Sequence, residues 1–243
     1  MFYRLFIIFM TSAIWASNEG LHLENVVIDR HDIAAKQRGA QIFFNYCSGC
    51  HSLKYARYND IARDLKIVND KNEVDKDIIQ SYLNFTNDDY RSPIINALDP
   101  KDAEVWFGKT PPDLSLEIRS KGLNWVYSFL KGFYRDDSRP LGVNNIIFPN
   151  VGMPHVLLPL QGLQEPIYNR EHVLTGLKKA EGVTEQQIQK FDGQIKDLVS
   201  FLDYVSEPHK NERLKIGRFA LLFLTVFSLF SFLYYKEVWK NIK

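Results

Sequence analysis

The chain has 243 residues, 45% of them hydrophobic and 24% charged, with a formal net charge of +1. That balance fits one ordinary globular domain or two small ones and excludes a disordered chain. Between Ser17 and His209, 22 basic residues stand against 27 acidic ones, a net charge of −5 with histidine neutral, which argues against nucleic acid as a partner and permits a basic one.

At the N-terminus Arg4 precedes an apolar stretch, Leu5 to Ala16, broken only by Thr11 and Ser12 and followed by Ser17-Asn18-Glu19. Its length of about twelve residues falls short of the roughly twenty needed to cross a bilayer, and Ala16 suits a cleavage site. Residues 1–16 are therefore read as a secretory signal peptide, with a retained N-terminal anchor as the alternative.

From Lys36 to Tyr46, Gly39, Ile42, Phe43 and Tyr46 recur at three- and four-residue spacing, which predicts a helix, with Gly39 allowing a second helix to come close. That helix runs into Cys47-Ser48-Gly49-Cys50-His51, which holds both cysteines of the chain and has the arrangement of covalent c-type haem attachment. Two thiols on one turn can each add to a different vinyl group of one porphyrin, and His51 can then present a ring nitrogen to the iron. A disulfide or thioredoxin-like pair is the competing reading, weakened by the adjacent histidine and by the lack of a strand-helix-strand pattern around the motif.

Asn69 to Asp77 is charged and nearly free of apolar residues, so it is expected to be an exposed loop or a short helix start, and Asp88-Asp89 read as a solvated acidic cluster. Thr110-Pro111-Pro112-Asp113-Leu114-Ser115 is a turn, and a helix is predicted over Glu117 to Tyr134, capped by Asp113 or Ser115.

Phe148-Pro149-Asn150-Val151-Gly152-Met153-Pro154-His155 is an irregular loop by its prolines and glycine. Of the three methionines, Met1 and Met10 fall in the signal segment, which leaves Met153 as the candidate thioether ligand for a haem iron. His155 could ligate instead and give a bis-histidine haem of lower potential, and Met153 as a packing residue is the plain alternative. His22, His31, His172 and His209 read as surface or capping residues.

Ile188, Phe191, Ile195, Leu198, Val199, Leu202 and Val205 form one apolar stripe on a helix that Glu207-Pro208 should stop, and this helix is expected to cross the one before the cysteines. Near the C-terminus, Arg218 and Lys236 bracket seventeen uncharged residues, Phe219 to Tyr235, with Tyr234, Tyr235 and Trp239 at the far edge, as in a short membrane-spanning helix. With a signal peptide ahead of it, the chain divides into residues 1–16, a periplasmic haem domain over 17–212, and an anchor with a short cytoplasmic tail over 213–243, in the inner membrane of a bacterium. The predicted fold is mainly α, with long irregular connections and one C-terminal transmembrane helix. No internal repeat, phosphate-binding glycine loop, metal-binding cysteine set or nucleophile-base motif appears.

Taken together, several segments resemble the cytochrome c1 family: Lys36-Gln37-Arg38-Gly39-Ala40-Gln41-Ile42 before Cys47-Ser48-Gly49-Cys50-His51-Ser52-Leu53, Pro111-Pro112-Asp113-Leu114-Ser115, and Trp125-Val126-Tyr127-Ser128-Phe129-Leu130-Lys131-Gly132-Phe133. The methionine loop, the helix end from Val199 to Glu207 and the single anchor follow in the same order, so the likeness covers nearly all of the mature chain. The resemblance implies one covalently bound haem c that takes an electron from a Rieske iron-sulphur subunit. It implies delivery to a soluble or tethered cytochrome c, beside cytochrome b in a quinol:cytochrome c reductase, with no substrate chemistry of the chain's own. It implies thioether bonds from Cys47 and Cys50, axial ligation by His51 and Met153, and a haem propionate bound by Arg119. Two departures stand out: Pro154-His155 replaces another proline or an alanine-proline of better-known members, and the acidic docking surface is less marked. The competing functions are a membrane-anchored cytochrome c serving an oxidase or another reductase, and an open-site haem enzyme or sensor.

Overall fold

The structure, a computed structural model, describes residues 23–86 and 88–241. The segment read as a signal peptide lies outside the described residues. Helix α1, Ile33–Tyr46, begins three residues before the periodic stretch because the Asp32 carboxylate accepts a hydrogen bond from the Ala35 amide and caps it. Helix α8, Glu185–Ser206, starts from a reciprocal capping box between Thr184 and Gln187 and ends at Glu207, before Pro208.

These two helices cross as predicted. A Cβ at Gly39 would stand 2.1 Å from the Asp197 carbonyl oxygen and 2.8 Å from Phe201 Cβ, so only glycine admits the α8 backbone there. Around the crossing, Phe43 packs against Phe44 edge-on at 5.3 Å and against Phe201 at 5.7 Å. All three rings are buried, each worth about 1.5–3 kcal/mol by transfer from water.

Among the described residues three antiparallel two-stranded sheets lie between the helices: β1 (Leu53–Arg57) with β2 (Pro93–Ile94), β3 (Phe133–Arg135) with β4 (Val143–Asn145), and β5 (Glu165–Tyr168) with β6 (Leu174–Lys178). Helix α2, Tyr58–Asp64, follows β1. As expected, the charged segment near residue 70 is a loop, closed by a Val68–Val74 bridge; Asp75 then caps the short α3, Lys76–Ile78, which continues as a π-helical turn.

Helix α4, Pro100–Phe107, precedes the proline turn. The single helix predicted over Glu117 to Tyr134 is instead two, α5 (Glu117–Lys121) and α6 (Leu123–Lys131), divided at Gly122, whose φ of +88° lies outside helical space. The last predicted residues belong to β3. Asp113 and Ser115 do not cap α5: the Asp113 carboxylate accepts from the Lys54 and Ser115 amides, and the Ser115 hydroxyl accepts from the Tyr55 amide, tying the proline turn to β1.

After the short α7, Leu158–Gln161, and α8 comes α9, Lys210–Val238, of 29 residues. It is long and apolar enough to cross a membrane, and none of its apolar window is buried against the rest of the protein. At 1.5 Å per residue the seventeen-residue run Phe219 to Tyr235 covers about 26 Å, slightly less than a hydrocarbon core of about 30 Å. The molecule is thus a mainly helical domain with irregular connections, carried on one long apolar helix.

Candidate functional site

The cysteine motif is the continuation of α1. Cys47 donates its amide to the Phe43 carbonyl at 2.8 Å, and the Cys50 and His51 amides both turn back to the Cys47 carbonyl at 3.1 and 2.9 Å, so the five residues form one tight turn. The Asn96 side chain clamps that turn from outside by donating to the Cys50 carbonyl at 2.6 Å. Both cysteines are free. Burial, and secondarily Cys50, pushes the Cys47 thiol up to about 12, and burial raises Cys50 as well.

His51 is buried, and burial lowers its pKa, so the imidazole is neutral. Its Nδ1 lies 2.7 Å from the Pro112 carbonyl oxygen. A carbonyl can only accept, so Nδ1 carries the proton and Nε2 keeps its lone pair, the tautomer a metal-binding histidine needs. The Pro111-Pro112 turn, which lacks amide hydrogens of its own, is held for this contact by the Leu114 amide on the Ser52 carbonyl at 3.0 Å.

Over this turn opens an apolar cavity of about 380 Å³, lined by Cys47, Cys50 and His51 and, among others, by Trp125, Phe129 and Met153. The size lies in the range of cofactor sites, about 300–1,000 Å³. Trp125 and Phe129 are stacked, 5.2 Å apart and 5° from parallel, as a flat wall. Two thiols, a neutral imidazole with a free nitrogen, a thioether and flat apolar walls are a donor set that fits haem c.

Met153 and His155 are separated by their packing. Met153 lines the cavity, half-buried. His155 is not among the lining residues; its ring is buried and stacked on Phe133, 5.0 Å away and 2° from parallel, with Nε2 3.4 Å from the Gly162 carbonyl. Burial depresses its pKa to about 4, so it is a neutral ring.

Arg119 is exposed on α5, is not among the residues that line the cavity, and acts electrostatically on Glu207. The cationic side chains that do line the cavity are Lys109, 5.1 Å over the Phe148 ring, and Lys121, 5.4 Å over the Trp125 ring. Sequence reasoning passed over both, and also Asn96, Asn144 and Asn145, because lysine and asparagine in loops read first as solvated turn residues. Of the aromatic residues before the cysteines, Phe43 and Phe44 face the helix crossing and Tyr46 lines the cavity.

A mainly helical domain whose Cys-Xaa-Xaa-Cys-His turn opens on a large apolar cavity, followed by one C-terminal anchor helix, has the make-up of a membrane-anchored c-type cytochrome. Residues 23–242 match the model of the Cytochrome C1 family, and the chain belongs to that family. It is 43% identical to cytochrome c1 of Allochromatium vinosum, over 98% of this chain and 96% of that one. It is 35% identical to the ammonia monooxygenase gamma subunit of Nitrosomonas europaea, over 93% and 92%. A mitochondrial cytochrome c1 heme protein of Arabidopsis thaliana is 28% identical, over 89% of this chain and 70% of its own length. Membership implies a haem c cofactor and a role as an electron-transfer subunit of the bc1 complex.

Proposed function

We propose that the chain holds one haem through Cys47 and Cys50, with His51 and Met153 as axial ligands, and that it accepts electrons from the Rieske subunit and delivers them to a cytochrome c. The observation that carries this reading is convergence: the cysteine turn and the Met153 loop, about a hundred residues apart, line one apolar cavity. Bound there, haem supplies a one-electron iron couple.

The chain's own groups prepare that couple. The Pro112 carbonyl holds His51 in the tautomer with Nε2 free. Met153 offers a soft thioether, which favours the ferrous state and raises the potential. Trp125, Phe129 and Val126 exclude water, so a change of iron charge is felt in a low-dielectric surrounding. Lys109 and Lys121, which line the cavity, would be available to neutralise the acidic edge of the macrocycle, alongside the propionate contact that the family resemblance implies for Arg119.

The domain over 17–212 is assigned to the periplasmic side of the inner membrane, with the residues after α9 in the cytoplasm. A signal peptide over 1–16 is part of the same reading, and α9, beginning at Lys210, is the bilayer contact.

The deciding experiment is the optical spectrum of the purified membrane protein and of Met153→Leu. The far-red sulphur-to-iron charge-transfer band is expected in the unaltered protein and absent from the variant, with a lowered potential and slower reduction by the Rieske centre. An unchanged band and potential in Met153→Leu would sink the ligand assignment. Co-purification with cytochrome b and a Rieske subunit is the expected company; recovery with oxidase or monooxygenase subunits instead would overturn the partner assignment.

A further inference from the structure

We propose that Asn144 and Asn145, side by side on β4, are positioning residues that hold the Met153 loop against the cavity; the inference rests on Met153 being an iron ligand. Both side chains are buried, Asn145 completely. Buried amides of this kind persist where every polar atom has a partner, and these two are satisfied almost entirely by the loop and its supports.

The Asn145 Oδ1 accepts from the Ile147 amide at 2.9 Å and the Phe148 amide at 3.1 Å, while its Nδ2 donates to the Phe129 carbonyl at 2.7 Å. The Asn144 Oδ1 accepts from the Asn150 amide at 2.8 Å and the Asn145 amide at 2.9 Å, and its Nδ2 donates to Asp136 Oδ2 at 2.8 Å. The loop therefore ends three of its amides, at 147, 148 and 150, on two side chains. Strand pairing supplies none of these bonds, because the β3–β4 register stops at the pair Phe133–Asn145.

The direction of these bonds matters more than their number. Phe129 lines the cavity from α6, and Phe148, Val151 and Met153 line it from the loop. Asn145 joins the two by one amide, so the distance between the α6 wall and the start of the ligand loop is set by a rigid planar group. Asn150 sits at φ +63°, a left-handed conformation that asparagine tolerates better than most residues, and the Asn144 side-chain Oδ1, accepting from its amide, holds it there. Only Val151 and Gly152 separate Asn150 from Met153, which has to present its sulphur.

Apolar packing alone does not specify this placement. Val151 and Met153 pack with Phe133 and Val143, contacts that a loop displaced by an ångström could keep. Hydrogen bonds that set direction could not be kept in this way.

The test uses the full-length, haem-loaded membrane protein and compares Asn145→Leu with Val143→Ala, a change in the same strand that removes packing and no loop bond. Three signals are read: the far-red sulphur-to-iron band, carbon monoxide binding to the ferrous protein, and the melting temperature. Asn145→Leu is expected to lose most of the band and to bind carbon monoxide at least tenfold more readily, whereas Val143→Ala melts lower but keeps the band. Asn144→Ala, a smaller change, should weaken the band partially, and it carries the test where Asn145→Leu does not accumulate.

The inference is overturned by an unaltered band with no carbon monoxide binding in Asn145→Leu, or in Asn144→Ala where that variant carries the test. Equal loss of the band in Val143→Ala also overturns it, because general loosening would then explain everything. A band that survives Met153→Leu marks the other failure, that of the ligand assignment itself, and the positioning role falls with it.

Discussion

Lys131 shows how single residues knit the helical domain together. At the end of α6 its ammonium pairs with Glu24 at 2.5 Å and Asp192 of α8 at 2.9 Å, and lies 4.7 Å over the Tyr127 ring, so the N-terminal segment and two helices meet on one charge. Burial works against that charge, but the Asp192 and Glu24 carboxylates outweigh it and raise the pKa above the ordinary 10.5. A raised lysine pKa stabilises the fold fully below the unfolded value and ceases to do so as pH rises through the folded one. Melting temperature is therefore expected to show a Lys131 contribution that holds from neutral pH up to about 10 and fades above it, and Lys131→Met should remove that part of the alkaline dependence. At neutral pH the same variant should cost only about 1 kcal/mol, because Glu24 and Asp192 are partly exposed and water screens them. A melting curve for Lys131→Met that declines at high pH just as the unaltered protein's does would show that the triad carries no such linkage.

Two glycines in helices separate packing from propensity. Gly39→Ala forces a methyl group against the Asp197 carbonyl and should cost about 3 kcal/mol, the upper part of the range for overpacking, since backbone has to move. Gly193→Ala, in α8 with nothing within 4 Å of the added carbon, should stabilise by about 0.4–1 kcal/mol through the unfolded chain. Denaturant midpoints of the two variants test the pair, and a neutral Gly39→Ala would mean that α1 and α8 can separate freely. Periodicity made both helices of this crossing legible in the sequence, because an apolar stripe repeats every turn regardless of what it meets. It misread the stretch after Ser115, where one helix was expected and Gly122 divides two. Nor did it show the β3–β4 pair, whose strands of three residues are too short to display alternation.

The molecule as a whole is a mainly helical domain followed by one long apolar helix. Asp203, at the end of α8, receives Arg30 at 2.8 Å and Lys210 of α9 at 3.3 Å, and Arg213 pairs with Glu207, so the anchor starts from a group of ion pairs at the base of the domain. None of the apolar window of α9 packs on the rest, so the domain's core owes it nothing. A chain ended after His209 is expected to leave the membrane fraction while its spectrum stays that of the full-length protein. Loss of the haem spectrum on truncation would show instead that the anchor supports the cavity. Ion pairs exposed on one side contribute little, so the melting temperature of the truncated domain should fall only slightly.

The sequence by itself determined the features whose physics is local. Thiol spacing over one turn, the histidine beside it, the helical stripes and an uncharged run bracketed by Arg218 and Lys236 depend on neighbours within a few residues, and they can be read without knowing the fold. Only the tertiary structure decided which side chains face the cavity. Met153 and His155 are two residues apart in the same loop, and Phe133 from β3 draws the histidine ring away. Arg119 and Lys121 are also two residues apart, and the orientation of the short α5 brings the lysine to the cavity and leaves the arginine in solvent. Asn144 and Asn145 look like a turn in sequence and become buried tethers because α6 and the Met153 loop close around them. Side-chain direction at such positions is set by contacts between segments far apart in the chain, and no local pattern records it.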